Sequence, residues 1–385
     1  MVDVIDLFAG CGGLTAGFRR LAKNDGQSLY NPVLAVDLDP VALSTYAANF
    51  GADHAVCGDI GEVVARKVPS ADVVVGGPPC QGFSSIGKRD DADVRNQLWR
   101  HYVRLVKAAD PDVFLMENVG RFSSTPEFEL MTSYLNKEFR DYSWDWKVLN
   151  AADFGVPQNR KRTIIVASRV SRVSFDDLAD VAREDIGVPK MSSLREAFEG
   201  LDWEIPRGHI LPQREGQWLP GVTVDGAFTE QEIHLPGVLY PREKSLDRYR
   251  AIGPGQGRFD LPDELQMDCW RRKKSGTTDV MGRLQWDEPS VTVRTEFHKA
   301  EKGRYLHPQF VRGQDSQTAL RTISLAEGAR IQTFPSDFVW CGRRDDIARQ
   351  IGNAVPATLA AYLGRWVQAM VEGDFPVTQP LLVSA

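Results

Sequence analysis

The run Val2-Asp3-Val4-Ile5-Asp6-Leu7-Phe8, leading directly into Ala9-Gly10-Cys11-Gly12-Gly13, decides how the rest of the chain is read. A short apolar run of β-branched residues reads as a buried strand. Glycines immediately after it read as a tight strand-to-helix turn that lets a ligand approach the backbone closely. Further apolar runs at 33–37, 72–76, 111–116 and 163–168 alternate with amphipathic stretches, the pattern of a parallel sheet with crossover helices. Between the third and fourth of the five runs, Leu98, Tyr102, Leu105 and Val106 share one helical face, which Pro111 ends. The expected fold class is α/β, with a doubly wound, Rossmann-like domain.

Beyond about residue 175 the periodicity weakens and Pro, Gly and charged residues interrupt every run, as in RGHILPQREGQWLPGVTVDG at 207–226. This predicts a second, smaller and irregular domain of loops and short strands. Near the end, Pro356 opens a helix whose Leu359, Leu363, Trp366 and Met370 share a face, with Gly373 past its last turn. A helix so apolar is expected to pack back on the first domain. The expected division is 1–175, 176–335 and 336–385.

Composition narrows the class. With 385 residues, 42% hydrophobic and 25% charged, the chain is globular rather than fibrous or unfolded. No stretch approaches the roughly 18 apolar residues a membrane span needs. Asp3 and Asp6 stand where a signal peptide would be basic, so a cytoplasmic protein without a membrane partner is expected. The five cysteines (Cys11, Cys57, Cys80, Cys269, Cys341) are odd in number, lack a C-x-x-C pair and have no histidine at ligand spacing. Neither a disulfide framework nor a metal site is expected. The net charge of -6 argues against a nucleic-acid partner only if the charge is spread evenly.

Four stretches carry residues suited to chemistry. The glycine turn at 10–13 and Asp37, ending the second run, suit a ligand with ribose hydroxyls; NAD, FAD and other adenosine cofactors fit that layout equally. Gly77-Pro78-Pro79-Cys80-Gln81 follows the third run, at the carboxyl edge where ligands bind in open α/β sheets, and two prolines hold the backbone before the thiol. Glu117-Asn118-Val119 brings a carboxyl to the same edge, fit for general acid work if burial raises its pKa. In Gln158-Asn159-Arg160-Lys161-Arg162, the alternating Arg160 and Arg162 are expected to point one way and to suit an anion or a carbonyl oxygen.

Taken in order, DLFAGCGGLTAGF, GGPPCQGFS, ENV, QNRKR, RIQTFPSDF (330–338) and QIGNAVPATLA (350–360) strongly resemble the cytosine-C5 DNA methyltransferases of bacterial restriction–modification systems. The resemblance implies S-adenosylmethionine as cofactor, held by Phe8, Gly10, Gly12, Gly13, Asp37, Leu38, Asp59, Ile60, Pro79 and Asn353. Asp37 would bind the ribose, where the family often has Glu, and Asp59 the adenine amino group. It implies Cys80 as the nucleophile that adds to C6 of a cytosine flipped out of duplex DNA, Glu117 as the group at N3, and Arg160 and Arg162 with them, Arg162 at O2. The loop 82–96 would close over the flipped base, with Ser84, Ser85, Lys88 and Arg89 meeting DNA.

The variable region then corresponds to a target-recognition domain. Between 265 and 310 there are nine Lys/Arg, including Arg271, Arg272, Lys273 and Lys274, against six acids, a local basic excess that suits a DNA footprint. The expected partners are double-stranded DNA and a cognate restriction endonuclease acting on the same site without stable association; the chain itself is expected to be a monomer. A transfer-RNA methyltransferase of the same family would carry a Cys-Phe-Thr segment, and none occurs. An inactive family member would lack the thiol or the glycines, and both are present. A nicotinamide-dependent oxidoreductase would explain the glycine turn but not PPCQ, ENV or QNRKR.

Overall fold

A computed structural model describes residues 1–22, 26–63, 68–79, 98–205, 210–234, 243–272, 279–310 and 320–374. Contacts divide the chain into two compact units. The first gathers Met1–Phe154, Lys161–Pro189 and the segment from Val355 onward; the second gathers Gly155–Arg160 and Lys190–Ala354.

The first unit is built on seven strands: β1 (Val2–Leu7), β2 (Tyr30–Asp37), β3 (Ala55–Cys57), β4 (Val73–Gly76), β5 (Val113–Val119), β6 (Ser143–Asn150) and, after the two-residue β7 (Gln158–Asn159) of the second unit, β8 (Lys161–Ser168). Their order in the sheet is β3-β2-β1-β4-β5-β8-β6. The first five are mutually parallel, as the alternating pattern predicts. β8 runs antiparallel to both β5 and β6, so the sheet is mixed and not wholly parallel. β3 and β6 were not expected as strands. β3 has only three residues, and Trp146, Lys147 and Val148 of β6 are exposed at the sheet edge, so neither shows a buried apolar run.

Helices cover both faces. On one lie α3 (Ile60–Val63), α4 (Leu98–Ala109) and α5 (Pro126–Glu138), whose Val63, Tyr102, Val106, Phe128 and Leu135 enclose Ile5, Leu7, Val36, Val74 and Phe114 of the strands. The face expected for α4 is the one buried, and the helix ends before Asp110-Pro111. On the other face lie α1 (Gly13–Arg19), α2 (Pro40–Phe50), α6 (Phe175–Val181) and the C-terminal helix, Ala357–Glu372, labelled α13 below. Leu359, Leu363, Trp366 and Met370 of that helix are buried as expected, and Gly373 caps it at φ 82°. It packs closely on α1: a Cβ on Gly17 would lie 2.4 Å from the Ala357 carbonyl oxygen. Tyr30 Oη donates to the Gly364 carbonyl at 2.7 Å.

The second unit has little regular structure. Its helices are α7 (Leu194–Ala197), α8 (Glu230–His234), α9 (Glu243–Ala251), α10 (Asp268–Arg271), α11 (Leu325–Ile331) and α12 (Arg344–Asn353), which precede α13 in the chain. β9 (Glu215–Leu219), β10 (Val222–Phe228) and β12 (Trp340–Cys341) form one small sheet, and β7 pairs with β11 (Ser290–Val291) in another. Leu246, Tyr249, Ile252, Trp270, Met281 and Leu306 cluster into a local apolar core.

These contacts shift the expected boundaries. Residues 176–189 stay with the first unit, where α6 packs on α13, and 336–354 stay with the second, where β12 extends the small sheet of β10. The short segment 155–160 leaves the first unit because β7 pairs with β11.

Candidate active site

The carboxyl ends of β1, β2, β4 and β5 converge on one edge of the first unit's sheet, and the sequence motifs lie just beyond them. At the end of β1 the chain turns sharply: Phe8 takes φ 59°, Gly10 φ 55° and Gly12 φ 90°, all in the left-handed region. Gly10 and Gly12 answer different demands. A Cβ on Gly12 would come within 2.4 Å of the Phe50 ring and 2.8 Å of Tyr46, so packing against α2 requires glycine there. A Cβ on Gly10 would meet nothing within 4 Å, so this backbone faces open space.

Asp37 holds the turn from the neighbouring strand. Its Oδ2 accepts from the Gly10 amide and its Oδ1 from the Asp39 amide, each at 2.8 Å. Burial raises its pKa against the pull of those two amides. Leu38, next to it, is 68% exposed, an apolar side chain presented at the same edge. Asp59 accepts from the Gly61 amide at 2.7 Å at the start of α3, while the Ile60 side chain is buried in the core. An open glycine backbone, an acid at the end of β2 and an exposed apolar side chain beside it together suit an adenosine-containing cofactor.

The second group of residues sits at β4 and β5. Glu117, nine-tenths buried, meets Arg162 of β8 through Nε at 2.6 Å. Burial lowers the pKa of the Arg162 guanidinium, with Glu117 opposing that shift. The Glu117 carboxylate lies over Gly77, where a Cβ would be 2.8 Å from Oε2. Asn118 donates from Nδ2 to the Pro78 carbonyl at 2.9 Å. These contacts bring the ENV, GPP and second-arginine motifs together in space. Pro79 is partly buried at the end of this segment. Cys80, Ser84, Ser85, Lys88 and Arg89 lie outside the described residues, as do Lys273 and Lys274.

Arg160 does not join this group. Its side chain is 1% exposed and donates to the carbonyls of Val293, Gly352 and Ala354 at 2.9, 2.7 and 3.0 Å, all in the second unit. Arg160 and Arg162 therefore face different surroundings, because the backbone passes from β7, paired in one unit, to β8, paired in the other. This corrects the expectation that the two point one way. Asn353 is exposed at the end of α12 in the second unit, next to Gly352, which the backbone of Arg294 and Thr295 approaches too closely for any side chain.

The basic stretch of the second unit is also less uniform than its sequence suggests. Arg283 is wholly buried and donates to the carbonyls of Tyr249, Ile252, His307 and Gln309. Arg294 pairs with Asp279, and Lys299 and Lys302 both pair with Glu296. Arg271 and Arg272 are exposed, though each donates to a nearby carbonyl, of Asp263 and Asp268 respectively.

Two residues escaped the sequence reading. Asn118 was read only as part of a motif, and Asp6 only as a charge near the terminus. Asp6 is buried at 1% exposure in β1. An acid between Ile5 and Leu7, in the apolar half of the strand, was the signal available for it.

The C-5 cytosine-specific DNA methylase family matches residues 2–369 of the chain. The Type II methyltransferase M.XorII of Xanthomonas oryzae pv. oryzae is 31% identical over 384 residues, spanning 94% of this chain and 83% of that protein. M.SacI of Streptomyces achromogenes is 30% identical over 404 residues, spanning 96% and 93%. Among solved structures, S. pombe Dnmt2 methyltransferase shares the fold at a TM-score of 0.62 and 16% identity, over 97% of this chain and 99% of that one. The chain belongs to the C-5 cytosine-specific DNA methylase family. It is accordingly a DNA cytosine-5 methyltransferase that takes its methyl group from S-adenosylmethionine.

Proposed function

We propose that the chain methylates C5 of one cytosine within a short duplex sequence, with the first unit carrying cofactor and chemistry and the second reading the target. The observation that carries the residue assignment is the convergence of Glu117, Arg162 and the Gly77-Pro78-Pro79 segment at one sheet edge. The cofactor would lie against Phe8, Gly10, Gly12, Gly13, Asp37, Leu38, Asp59, Ile60 and Pro79, and supplies an electrophilic methyl group on a sulfonium.

Carbon 5 of cytosine is a poor nucleophile, so the chain's residues must enrich it first. The Cys80 thiolate adds to C6, the softest nucleophile available near neutral pH. Electron density then moves toward N3, where Glu117 protonates or hydrogen-bonds the nitrogen and so offsets the charge. Arg162 keeps the Glu117 carboxyl in place and hydrogen-bonds O2. The target base leaves the stack to reach this edge, at a cost of a few kcal/mol. Ser84, Ser85, Lys88 and Arg89 would follow the DNA near the flipped base, and Arg271, Arg272, Lys273 and Lys274 its phosphates.

The type II names of the relatives support a role in restriction–modification, with the chain acting as a cytoplasmic monomer on sites shared with an endonuclease that need not bind it. No helix among the described residues is long and apolar enough to cross a membrane. The test is base-resolution mapping of 5-methylcytosine on unmethylated DNA after incubation with the protein and S-adenosylmethionine, beside Cys80→Ala. Methylation confined to one short motif and lost in the variant is expected. Methylation persisting in Cys80→Ala removes the thiol from the reaction, and methylation without sequence preference removes the target-reading role.

A further inference from the structure

Behind the glycine turn runs a chain of polar side chains that the reaction above does not use. Asp6 Oδ2 accepts from Thr15 Oγ1 at 2.6 Å. Thr15 Oγ1 lies 3.4 Å from Tyr46 Oη, and Tyr46 Oη lies 3.2 Å from His54 Nε2. Asp6, Thr15 and Tyr46 are buried, whereas His54 is half-exposed. Asp6 Oδ1 is buried without a hydrogen-bond partner in the structure. A carboxylate so placed is poorly solvated, and burial lifts the Asp6 pKa to about 7 against the pull of the Thr15 hydroxyl and backbone.

The charged and titratable neighbours are few. Asp37, at the end of β2, repels the ionised form, and Cys11 of the turn, which feels Asp37, Asp6 and Asp39, is a buried neutral thiol. Tyr102 of α4 feels the same carboxylate, and Arg19 of α1 and Asp53 act on the outer end of the chain, at Tyr46 and His54. Burial and Arg19 keep His54 below its usual pKa, so its ring is neutral near pH 7 and can accept a proton at Nε2.

Resting on the reading that residues 8–13 and Asp37 hold the cofactor, we propose that Asp6 is a proton-linked positioning residue, whose proton leaves through Thr15, Tyr46 and His54 when S-adenosylmethionine binds. The cofactor carries a net positive charge from its sulfonium, and a positive ligand at the turn favours the ionised form of an acid beneath it. In the transfer, Asp6 gives its proton to Thr15 Oγ1, Thr15 gives its own to Tyr46 Oη, Tyr46 gives its own to His54 Nε2, and His54 releases its Nδ1 proton to water. Each step breaks one O–H or N–H bond and makes another, and the net change is one proton moved from Asp6 to solvent. By linkage the same coupling tightens cofactor binding as pH rises through neutrality.

The test is titration calorimetry of the full chain at pH 7 in buffers of differing ionisation enthalpy, with S-adenosylmethionine and with the neutral-sulfur product S-adenosylhomocysteine. The wild type should release about half a proton per S-adenosylmethionine bound, given an acid titrating near 7. It should release clearly less with S-adenosylhomocysteine, and Asp6→Asn should release none. Nuclear magnetic resonance of carboxyl-labelled aspartate in the wild type keeps the idea testable if Asp6→Asn folds poorly: one carboxyl titrating near 7 should shift to lower pKa when S-adenosylmethionine is added. Proton release persisting in Asp6→Asn, equal release with both ligands, or no carboxyl titrating near neutrality overturns the proposal. Failure of either ligand to bind at any pH overturns the cofactor-site reading on which it rests.

Discussion

Two charged pairs show how differently the two units use buried charge. In the first unit Glu117 meets Arg162 through one contact at 2.6 Å, and each side chain keeps about 12% of its surface exposed. In the second, Arg321 grips Glu327 through both guanidinium nitrogens at 2.7 and 2.8 Å, and both side chains are sealed from solvent. Glu327 is held further by the Ser324 amide at 2.7 Å and by His307, 3.2 Å away. The first pair leaves a carboxylate and a guanidinium within reach of a ligand; the second is scaffold. The cause lies in the backbone. A seven-stranded ladder satisfies the main chain of the first unit, whereas the described strands of the second are two to seven residues long. Its buried carbonyls need donors from side chains, and Arg160, Arg283 and Arg321 provide them.

The sharpest way to break this contrast is to cut both pairs. Glu327→Ala leaves Arg321 buried without its counter-ion and should cost ~3–5 kcal/mol, lowering the melting temperature by roughly 10 °C. Arg162→Ala should melt within ~2 °C of the wild type and yet methylate ~100- to 1,000-fold more slowly. Unfolding curves and single-turnover methylation on both variants decide the matter. If Glu327→Ala melts like the wild type, or Arg162→Ala loses stability while keeping its rate, the division between scaffold and site fails.

The two arginines of QNRKR offer a closer comparison. Arg160→Met should destabilise by ~2–4 kcal/mol because the Val293 and Gly352 carbonyls lose the guanidinium as donor and the Ala354 carbonyl keeps only Gln332, and any loss of rate should be recovered by cooling to where the variant is folded. Arg162→Met should stay slow at every temperature. Equal recovery of both would put Arg162 in the scaffold too.

A gentler probe is Gly77→Ala, whose new methyl would sit 2.8 Å from Glu117 Oε2. Displacing that carboxylate by even an ångström should slow methylation ~10- to 100-fold with little change in cofactor affinity. Unaltered turnover would mean that the placement of Glu117 does not matter to the reaction.

The smallest effects are expected from pH, and they have opposite signs in the two units. His307 is buried beside Arg321, which together push its pKa down to about 4 despite Glu327. The unfolded chain therefore takes up this proton first, and the contribution of His307, full above pH ~6.5, is lost as pH falls toward 4. For Asp6 the folded pKa is raised to about 7, so the folded state holds the extra proton and stability falls as pH climbs from ~4 to 7. Melting curves between pH 4 and 8 should show His307→Gln flattening the acid side and Asp6→Asn flattening the neutral side. A variant whose curve stays parallel to the wild type assigns no proton linkage to that residue.

Much of the first unit was legible because its strands are nearly continuous apolar runs, buried on both faces, and its motifs fall at strand ends. The amphipathic face of Leu98–Ala109 and the apolar face of Ala357–Glu372 were legible for the same reason. The edge strand Ser143–Asn150 was not, because a strand with one open edge, three exposed residues in a row and one buried residue has no distinguishing period. Arg160 was expected beside Arg162 because alternation along an extended segment is a local rule, whereas the acceptors that fix its side chain lie some 130 to 190 positions away.

By itself, then, the sequence determined the α/β class, the family and the residue types at the sheet edge, since local periodicity and ordered motifs lie within neighbouring positions. Only the tertiary structure decided that β8 runs antiparallel, that Gly12 answers to α2 while Gly10 faces open space, that Arg160 and Arg162 part company, and that Asp6 is linked to His54. Each of those depends on contacts between residues distant in the chain, where burial and hydrogen-bond satisfaction, not local preference, set the outcome.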